Sequence, residues 1–164
     1  MKNIYCLGKN QYKIGGRNLG HYIADGYELF QTKIGHDWKK YLFKVRRNES
    51  HEHAFLCWYI ESLLSKIGLE SKLNESFGAD LELEHKGKKI CFEIETGKRL
   101  DRMKRMGMYR RFCERAKMFD LIFVIVPTER VARRYRSFGK PVITKAQLEG
   151  FIHSYFLTHT TQGS

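Results

Sequence analysis

The chain has little of what marks a membrane, secreted or linker-joined multidomain protein. Two of its 164 residues are proline and no Pro-rich or Ser-rich linker precedes His51, so we expect one compact unit with an N-terminal extension. No long apolar stretch, cleavable signal or amphipathic anchor is visible, which predicts no membrane role. The four cysteines lie far apart without a Cys-x-x-Cys pair, which predicts reduced thiols in an intracellular, cytoplasmic protein.

Negative charge is scarce as well. The chain has 30 Lys and Arg against 18 Asp and Glu, which gives a formal charge of +12. Such an excess is the electrostatic footprint of a polyanion partner, and nucleic acid is the leading candidate. The alternative is that many of these residues solvate the outer face of a helix, or bind RNA or an anionic membrane.

Some of the few acidic residues lie together in one segment, at Gly78-Ala79-Asp80 and at Glu93-Ile94-Glu95-Thr96-Gly97-Lys98. The pattern predicts a hairpin with strands over 80–84 and 89–95 and a turn over 85–88. Side chains alternate along a strand, so both glutamates should share one face, opposite an apolar set that faces a core.

Three carboxylates brought together in this way repel one another unless a cation joins them. Hard oxygen ligands suit Mg²⁺ or Mn²⁺. The alternative is a solvated hairpin face with an ordinary acidic pattern, because Glu82 and Glu84 show that the hairpin carries other glutamates.

The surrounding sequence predicts alternating helices and strands. An apolar helix over 51–67 precedes a strand over 69–76 and the hairpin, and a basic helix over 98–117 follows. The apolar run at 121–126 predicts a buried strand parallel to its neighbour, because a helical crossover precedes it. We expect the rest to form a helix capped by Thr128 through Ser137, an edge strand at 141–143 and a last helix over 145–155.

The first 48 residues are basic and aromatic, and glycines interrupt them. They predict short strands and hairpins in a small β-rich extension. Their aromatic side chains could stack on unpaired bases, or form a small core continuous with the main sheet. We assign 49–157 to the main domain and expect a frayed tail over 158–164.

This order of elements, with Asp80 opening the second strand of the domain and Glu93-Ile94-Glu95 closing the third, resembles the PD-(D/E)xK nuclease superfamily over about Glu49 to Ile152. The resemblance implies an α/β, restriction-endonuclease-like αβββαβ core with a mixed central sheet flanked by helices. It implies a metal-dependent DNA endonuclease, acting in recombination, mobile-element processing or restriction on duplex or branched DNA, and a possible homodimer. Transposon-end, replication-relaxation and Holliday-junction-resolvase-type members look most similar.

By this resemblance, Asp80 and Glu93 would bind Mg²⁺ or Mn²⁺ together with the backbone carbonyl of Ile94. Glu95 stands where the family usually has a lysine, and Lys98 is the candidate to replace that lysine. Ala79 stands where the family has proline. The missing lysine keeps a second interpretation open, in which the fold is a catalytically inactive DNA-binding module.

The resemblance also implies that a polar residue of the first helix faces the site. Glu52 is the catalytic candidate there, His53 a candidate contact to DNA, and Glu61 a weaker possibility. The predicted phosphate contacts are Arg99, Arg102, Arg105, Arg110 and Arg111. Separately, His51, His53 and Cys57 have spacing that suits a zinc site, although the sequence offers no evident fourth ligand.

Overall fold

The computed structural model describes residues 5–7, 13–14, 16–45, 49–74, 79–97 and 102–157, with the backbone alone at 13, 14, 102 and 103. The chain divides into two compact units, Met1–Trp58 and Tyr59–Ser164. The division falls inside a helix, further along the chain than the predicted boundary between residues 48 and 49. Each unit is described by itself.

The first unit contains a three-stranded antiparallel sheet in the order β1-β5-β4 and a separate two-stranded ladder, β2-β3. Its elements are β1 Tyr5–Leu7, β2 Lys13–Ile14, β3 Arg17–Asn18, α1 Leu19–Ala24, β4 Glu28–Ile34, β5 Asp37–Phe43 and the beginning of α2 His51–Lys66. The short strands confirm the β-rich prediction. Helix α1 was not predicted, because its six residues are too few to show a helical period and include a glycine.

Aromatic side chains fill the first unit. Tyr22 packs edge-on against Tyr27 with ring centroids 5.4 Å apart, and Tyr41 lies 4.9 Å from Phe55. The three-stranded sheet is separate from the sheet of the second unit in the part of the chain that the structure describes. Tyr22 is buried in one cluster with Leu7 and Leu42, and Tyr5 and Tyr27 pack against that cluster. The side chain of Trp38 is exposed.

The second unit is built on a mixed five-stranded sheet in the order β10-β9-β8-β7-β6. Its strands are β6 Lys72–Leu73, β7 Leu81–His85, β8 Lys88–Ile94, β9 Leu121–Val126 and β10 Val142–Thr144. The first three pair antiparallel and the last three parallel. The helices are the end of α2, α3 Arg102–Ala116, α4 Glu129–Tyr135 with a 3-10 turn Arg136–Phe138, and α5 Leu148–Leu157. This confirms a mixed α/β fold with helices around a mixed sheet.

The local sequence explains most of these elements. Lys86 and Gly87 both adopt positive φ, 52° and 70°, as a tight hairpin turn with two central residues of positive φ requires. Helix α3 carries the chain across to β9, which is buried and pairs parallel to β8 as predicted. Side chains of α3 and α4 cover one face of the sheet, and Phe151 of α5 packs on Phe123 at the other.

Several boundaries differ from the predictions. The hairpin strands are Leu81–His85 and Lys88–Ile94 instead of 80–84 and 89–95. Among the described residues, strand β6 covers Lys72–Leu73, which pairs with Leu81 and Glu82 at the sheet edge, whereas the prediction spans 69–76; residues 75 and 76 lie outside the described residues. The edge strand is β10, Val142–Thr144, instead of 141–143. The last helix begins at Leu148 instead of 145, because the amide of Lys145 is hydrogen-bonded to the carbonyl of Val126 and so extends the ladder.

Candidate active site

Asp80, Glu93 and Glu95 form the candidate site, which we call the carboxylate site. Leu81 pairs with Phe92 in the hairpin, so Asp80, one residue before β7, comes level with Glu93 of β8. The amide of Ile94 donates a hydrogen bond to Asp80 Oδ2 at 2.6 Å. This bond fixes the carboxylate of Asp80 beside the backbone that joins the two glutamates, as the hairpin spacing predicted.

The face that carries the glutamates is not solvated. Cys91 and Glu93 are both buried, Glu93 with 3% of its surface exposed, so side chains pack on this face as well as on the predicted core face. The physical reason is α3, which packs on this face with Met108 and Phe112 in the same cluster as Cys91. An acidic residue is almost never buried in this way unless it is paired.

Glu93 is paired with Arg115 of α3. Arg115 Nε donates to Glu93 Oε1 at 2.7 Å, and the Arg115 side chain is 15% exposed. Burial nevertheless raises the pKa of Glu93, and the nearby charge of Asp80 raises it further, against the lowering effect of Arg115 and Arg111. The carboxylates are therefore close enough to repel one another.

Glu95 is held at both oxygens. Arg111 donates to Oε1, and the hydroxyl of the buried Tyr135 donates to Oε2 at 3.0 Å. Burial raises the pKa of Glu95, with Arg111 and Tyr135 acting in the opposite direction. Burial and the charge of Glu95 likewise raise the pKa of Tyr135. Glu95 is thus placed by two side chains that come from different helices.

Arg115 and Tyr135 were missed in the sequence analysis. One signal could have found Arg115. Arg111 and Arg115 are four residues apart, about 6 Å along a helix, and the two glutamates are two residues apart, about 6.6 Å along a strand. The two arginines are therefore separated by about the same distance as the two glutamates, so a helix that packs on the strand can pair both arginines with both glutamates. No comparable signal points to Tyr135, which lies 40 residues from Glu95.

Gly97 joins the carboxylate site to α4. Its carbonyl accepts a hydrogen bond from Arg134 at 3.3 Å, and its φ of +79° is in the left-handed region. A Cβ at this position would lie 2.9 Å from Val131 Cγ2. The close approach and the positive φ both require glycine. The chain leaves β8 through this residue, so Gly97 sets the direction in which the segment after Glu95 departs.

A group of basic side chains lines a cavity of about 300 Å³, which we call the cationic cavity; its residues are Arg105, Arg133, Arg134 and Ser137. Arg105 of α3 donates to Ser137 Oγ at 3.0 Å. Arg133 and Arg134 come from α4, which the sequence analysis did not connect with binding. The cavity and the carboxylate site share helices α3 and α4.

The predicted phosphate contacts have different surroundings. Arg105 and Arg110 are exposed on α3, while Arg111 reaches Glu95. Arg102 lies in α3, where the structure describes its backbone alone. Lys98 and Arg99 lie outside the described residues. The roles of these side chains toward a substrate remain predictions.

The candidates on the first helix lie on both sides of the division between the two units. Glu52 and His53 belong to the first unit and are half-buried, and Glu61 belongs to the second. His53 Nδ1 lies 3.1 Å from Glu49 Oε1. Their predicted roles at the site stay predictions.

The predicted zinc trio is not assembled as expected. The Nε2 atom of His51 pairs with Glu28, and its ring stacks on Phe30. Among the described residues, a different trio, Glu49, His53 and Cys57, has all its donor atoms within 4.8 Å of one another. Of the residues that the structure describes, Asp80, Glu93 and Glu95 do not form a group that is gathered as closely, and Arg111 and Arg115 bond to the two glutamates.

The donor set of the carboxylate site nevertheless suits a hard divalent cation. It consists of carboxylate oxygens, the ligands that Mg²⁺ and Mn²⁺ prefer. Burial and the charge of Asp80 raise the pKa of both glutamates, so a bound cation would offset an unfavourable electrostatic interaction at this site.

Comparison of the chain with protein-family models, with curated proteins and with solved structures finds no match. Within the described part of the chain, no helix is long and apolar enough to cross a membrane. The chemistry of the carboxylate site and of the basic helices beside it is therefore the basis for a functional proposal.

Proposed function

We propose that this protein is a divalent-metal-dependent DNA endonuclease. The observation that carries the proposal is the convergence of Asp80, Glu93 and Glu95 at the open ends of two paired strands, where the amide of Ile94 fixes Asp80. A buried cluster of like charges lowers the stability of a fold, and groups whose pKa values are perturbed in this way are concentrated at functional sites.

The fold supports the same proposal. The order helix, three antiparallel strands, helix and parallel strand is the order implied by the resemblance to the PD-(D/E)xK nucleases. By that resemblance, Asp80 at the start of the second strand and Glu93 at the end of the third match the two metal-binding carboxylates, and Glu95 matches the position of the lysine. The restriction-endonuclease-like identity of the core belongs to this proposal.

In the proposed mechanism, Asp80 and Glu93 would hold Mg²⁺ or Mn²⁺ with the carbonyl of Ile94. The cation would supply Lewis acidity towards the phosphoryl group. Glu95 would accept a proton from the attacking water or bind a second ion. Lys98 stabilises the phosphoryl oxygens or orients the water, as the resemblance implies for the missing motif lysine.

Basic residues beside the site would hold the DNA backbone. The cationic cavity presents three guanidinium groups and a hydroxyl in a space of about 300 Å³. Guanidinium groups match phosphate oxygens in geometry as well as charge. Arg133 and Arg134 therefore join Arg105 and Arg110 as proposed phosphate contacts.

A second candidate function, a catalytically inactive DNA-binding module with the same fold, is favoured by one observation. Both glutamates already have arginine partners, Arg115 for Glu93 and Arg111 for Glu95. In this alternative the glutamates anchor α3 to the sheet and bind no cation.

A cleavage assay separates the two functions. Labelled linear duplex, single-stranded and four-way-junction DNA would be incubated with the protein in Mg²⁺, Mn²⁺ or EDTA. The informative variants are Asp80→Asn, whose amide oxygen can still accept the bond from Ile94, and Glu93→Gln. Glu84→Gln is the matched control, because Glu84 lies on the same hairpin and is exposed.

The endonuclease predicts cleavage that requires the metal, is lost in Asp80→Asn and Glu93→Gln and persists in Glu84→Gln. Cleavage by either site variant at the wild-type rate would refute the assigned residues. DNA binding without cleavage of any substrate in either metal would favour the inactive module.

A further inference from the structure

We propose that Glu49, His53 and Cys57 form a second metal site, selective for Zn²⁺ or a similar transition-metal ion and independent of the carboxylate site. All three residues belong to the first unit. Their donor atoms lie within 4.8 Å of one another. The proposal goes beyond the nuclease function and does not depend on it.

The local structure brings these side chains together. Ser50 caps α2, with its Oγ accepting from the amide of His53 at 3.2 Å and its carbonyl accepting from the amide of Ala54 at 3.0 Å. The cap holds Glu49 directly before the first turn. His53 and Cys57 are four residues apart and so lie one above the other on the same helical face.

The distances fit tetrahedral coordination. Zinc bonds of about 2.3 Å to sulfur and 2.0–2.1 Å to nitrogen and oxygen, at tetrahedral angles, separate sulfur from nitrogen by about 3.6 Å and nitrogen from oxygen by about 3.3 Å. The observed separations are 3.7 Å from His53 Nδ1 to Cys57 Sγ and 3.1 Å from the same atom to Glu49 Oε1. Shifts of about 0.2 Å bring these two separations to the zinc values. The third separation, from the carboxylate of Glu49 to Cys57 Sγ, is within 4.8 Å and would close to about 3.6 Å around a bound ion.

Hydrogen bonding through Nδ1 of His53 cannot join all three side chains at once. A single ring nitrogen carries either a proton or a lone pair. If Nδ1 of His53 donates to the carboxylate of Glu49, it cannot accept from the thiol of Cys57. A cation between the three groups engages the lone pair of Nδ1, the thiolate and the carboxylate at once.

The donor types select the metal. A thiolate and an imidazole favour Zn²⁺ over Mg²⁺, which prefers oxygen ligands alone. Three protein ligands leave a fourth position that water would take. Cys57 is buried, and the side chains of His53 and Glu49 are 27% and 13% exposed, so an ion can reach the cluster from the side of His53.

Cobalt is the probe for this site, because a thiolate bound to Co²⁺ gives a near-ultraviolet charge-transfer band and tetrahedral Co²⁺ gives intense visible bands. The purified full chain, stripped of metal, would be titrated with CoCl₂ and then with ZnCl₂. We expect both features to appear at one equivalent of Co²⁺ and to disappear when Zn²⁺ displaces it.

Variants assign the ligands. Cys57→Ala should lose the charge-transfer band, and Glu49→Gln, which is nearly isosteric and partly exposed, should weaken Co²⁺ binding at least about tenfold. Cys113→Ala controls for an exposed thiol, and Asp80→Asn for the carboxylate site. Both controls should keep the wild-type spectrum, whether or not the chain cleaves DNA.

The proposal is overturned if the folded wild-type protein shows no charge-transfer band, or if the band survives in Cys57→Ala. It is also overturned if Glu49→Gln binds Co²⁺ as tightly as the wild-type protein. Circular dichroism of each apo variant establishes that it is folded. Should Cys57→Ala fail to fold, the Glu49→Gln titration alone decides the outcome.

Discussion

Replacing Gly97 with alanine tests how the carboxylate site is joined to α4. Gly97 has a φ of +79°, and an added Cβ would lie 2.9 Å and 3.0 Å from the two methyl groups of Val131. The left-handed conformation costs an alanine about 1–2 kcal/mol, and forcing a methyl group into a packed contact costs about 1–3 kcal/mol. We therefore expect Gly97→Ala to lower the free energy of unfolding by about 2–5 kcal/mol.

Val131 cannot easily withdraw from the added methyl group. Its amide is hydrogen-bonded to the carbonyl and the hydroxyl of Thr128, which caps α4. The double variant Gly97→Ala/Val131→Ala removes the clash and keeps the unfavourable φ. The double variant should be about 1–3 kcal/mol more stable than the summed losses of the two single variants predict, and the cost of the positive φ should remain.

Urea unfolding followed by circular dichroism measures these free energies. Gly150→Ala is the matched control, because Gly150 is an exposed residue of α5 with nothing within 4 Å of the added Cβ; it should gain about 0.5–1 kcal/mol. A loss below about 0.5 kcal/mol in Gly97→Ala would refute the assigned backbone conformation. Additive effects in the double variant would refute the contact with Val131.

Three further outcomes are expected. Burial raises the pKa of Cys91 from 9.0 to about 12, so the folded chain keeps a proton that the unfolded chain releases, and stability falls as pH rises through this window. In the Cys91→Ala variant, the loss of unfolding free energy over this pH range should be smaller by up to about 4 kcal/mol, as measured by urea titrations at a series of pH values. An unchanged pH dependence would contradict the burial of Cys91. Tyr135→Phe removes a buried hydrogen bond to Glu95 and should cost about 1.5–3 kcal/mol of unfolding free energy; a neutral result would remove Tyr135 from the site. Arg134→Gln should reduce the slope of log affinity for DNA against log salt by about 1, whereas Arg136→Gln, whose guanidinium is paired with Glu129, should change it less; equal slopes would exclude Arg134 as a phosphate contact.

Local patterns predicted the elements that position the carboxylates. Alternation along a strand placed Glu93 and Glu95 on one face, and the hairpin spacing brought Asp80 level with them. The apolar run at 121–126 predicted a buried parallel strand. These features depend on backbone geometry within about 45 residues of sequence. Over that range, the periodicity of apolar residues and the turn residues are sufficient to predict the elements.

Packing between distant elements was not predictable in the same way. The alternation of β8 does not reveal that a helix covers the carboxylate face, so the burial of Glu93 and its pairing with Arg115 were missed. The contact between Tyr135 and Glu95 depends on the placement of α4 against the end of β8. The early strands likewise form sheets separate from the five-stranded sheet in the described part of the chain, and strand composition alone does not specify which sheet a strand joins.

The charges at the carboxylate site bear on the choice between nuclease and inactive module. With all groups ionised, Asp80, Glu93 and Glu95 carry three negative charges, and the guanidinium groups of Arg111 and Arg115 that bond to the glutamates carry two positive charges. One negative charge remains, and it repels a phosphodiester. A divalent cation reverses the sign and leaves one positive charge, which matches one phosphate. DNA can therefore approach these carboxylates closely when a cation is bound, whereas an inactive module would have to hold DNA elsewhere, as at the cationic cavity.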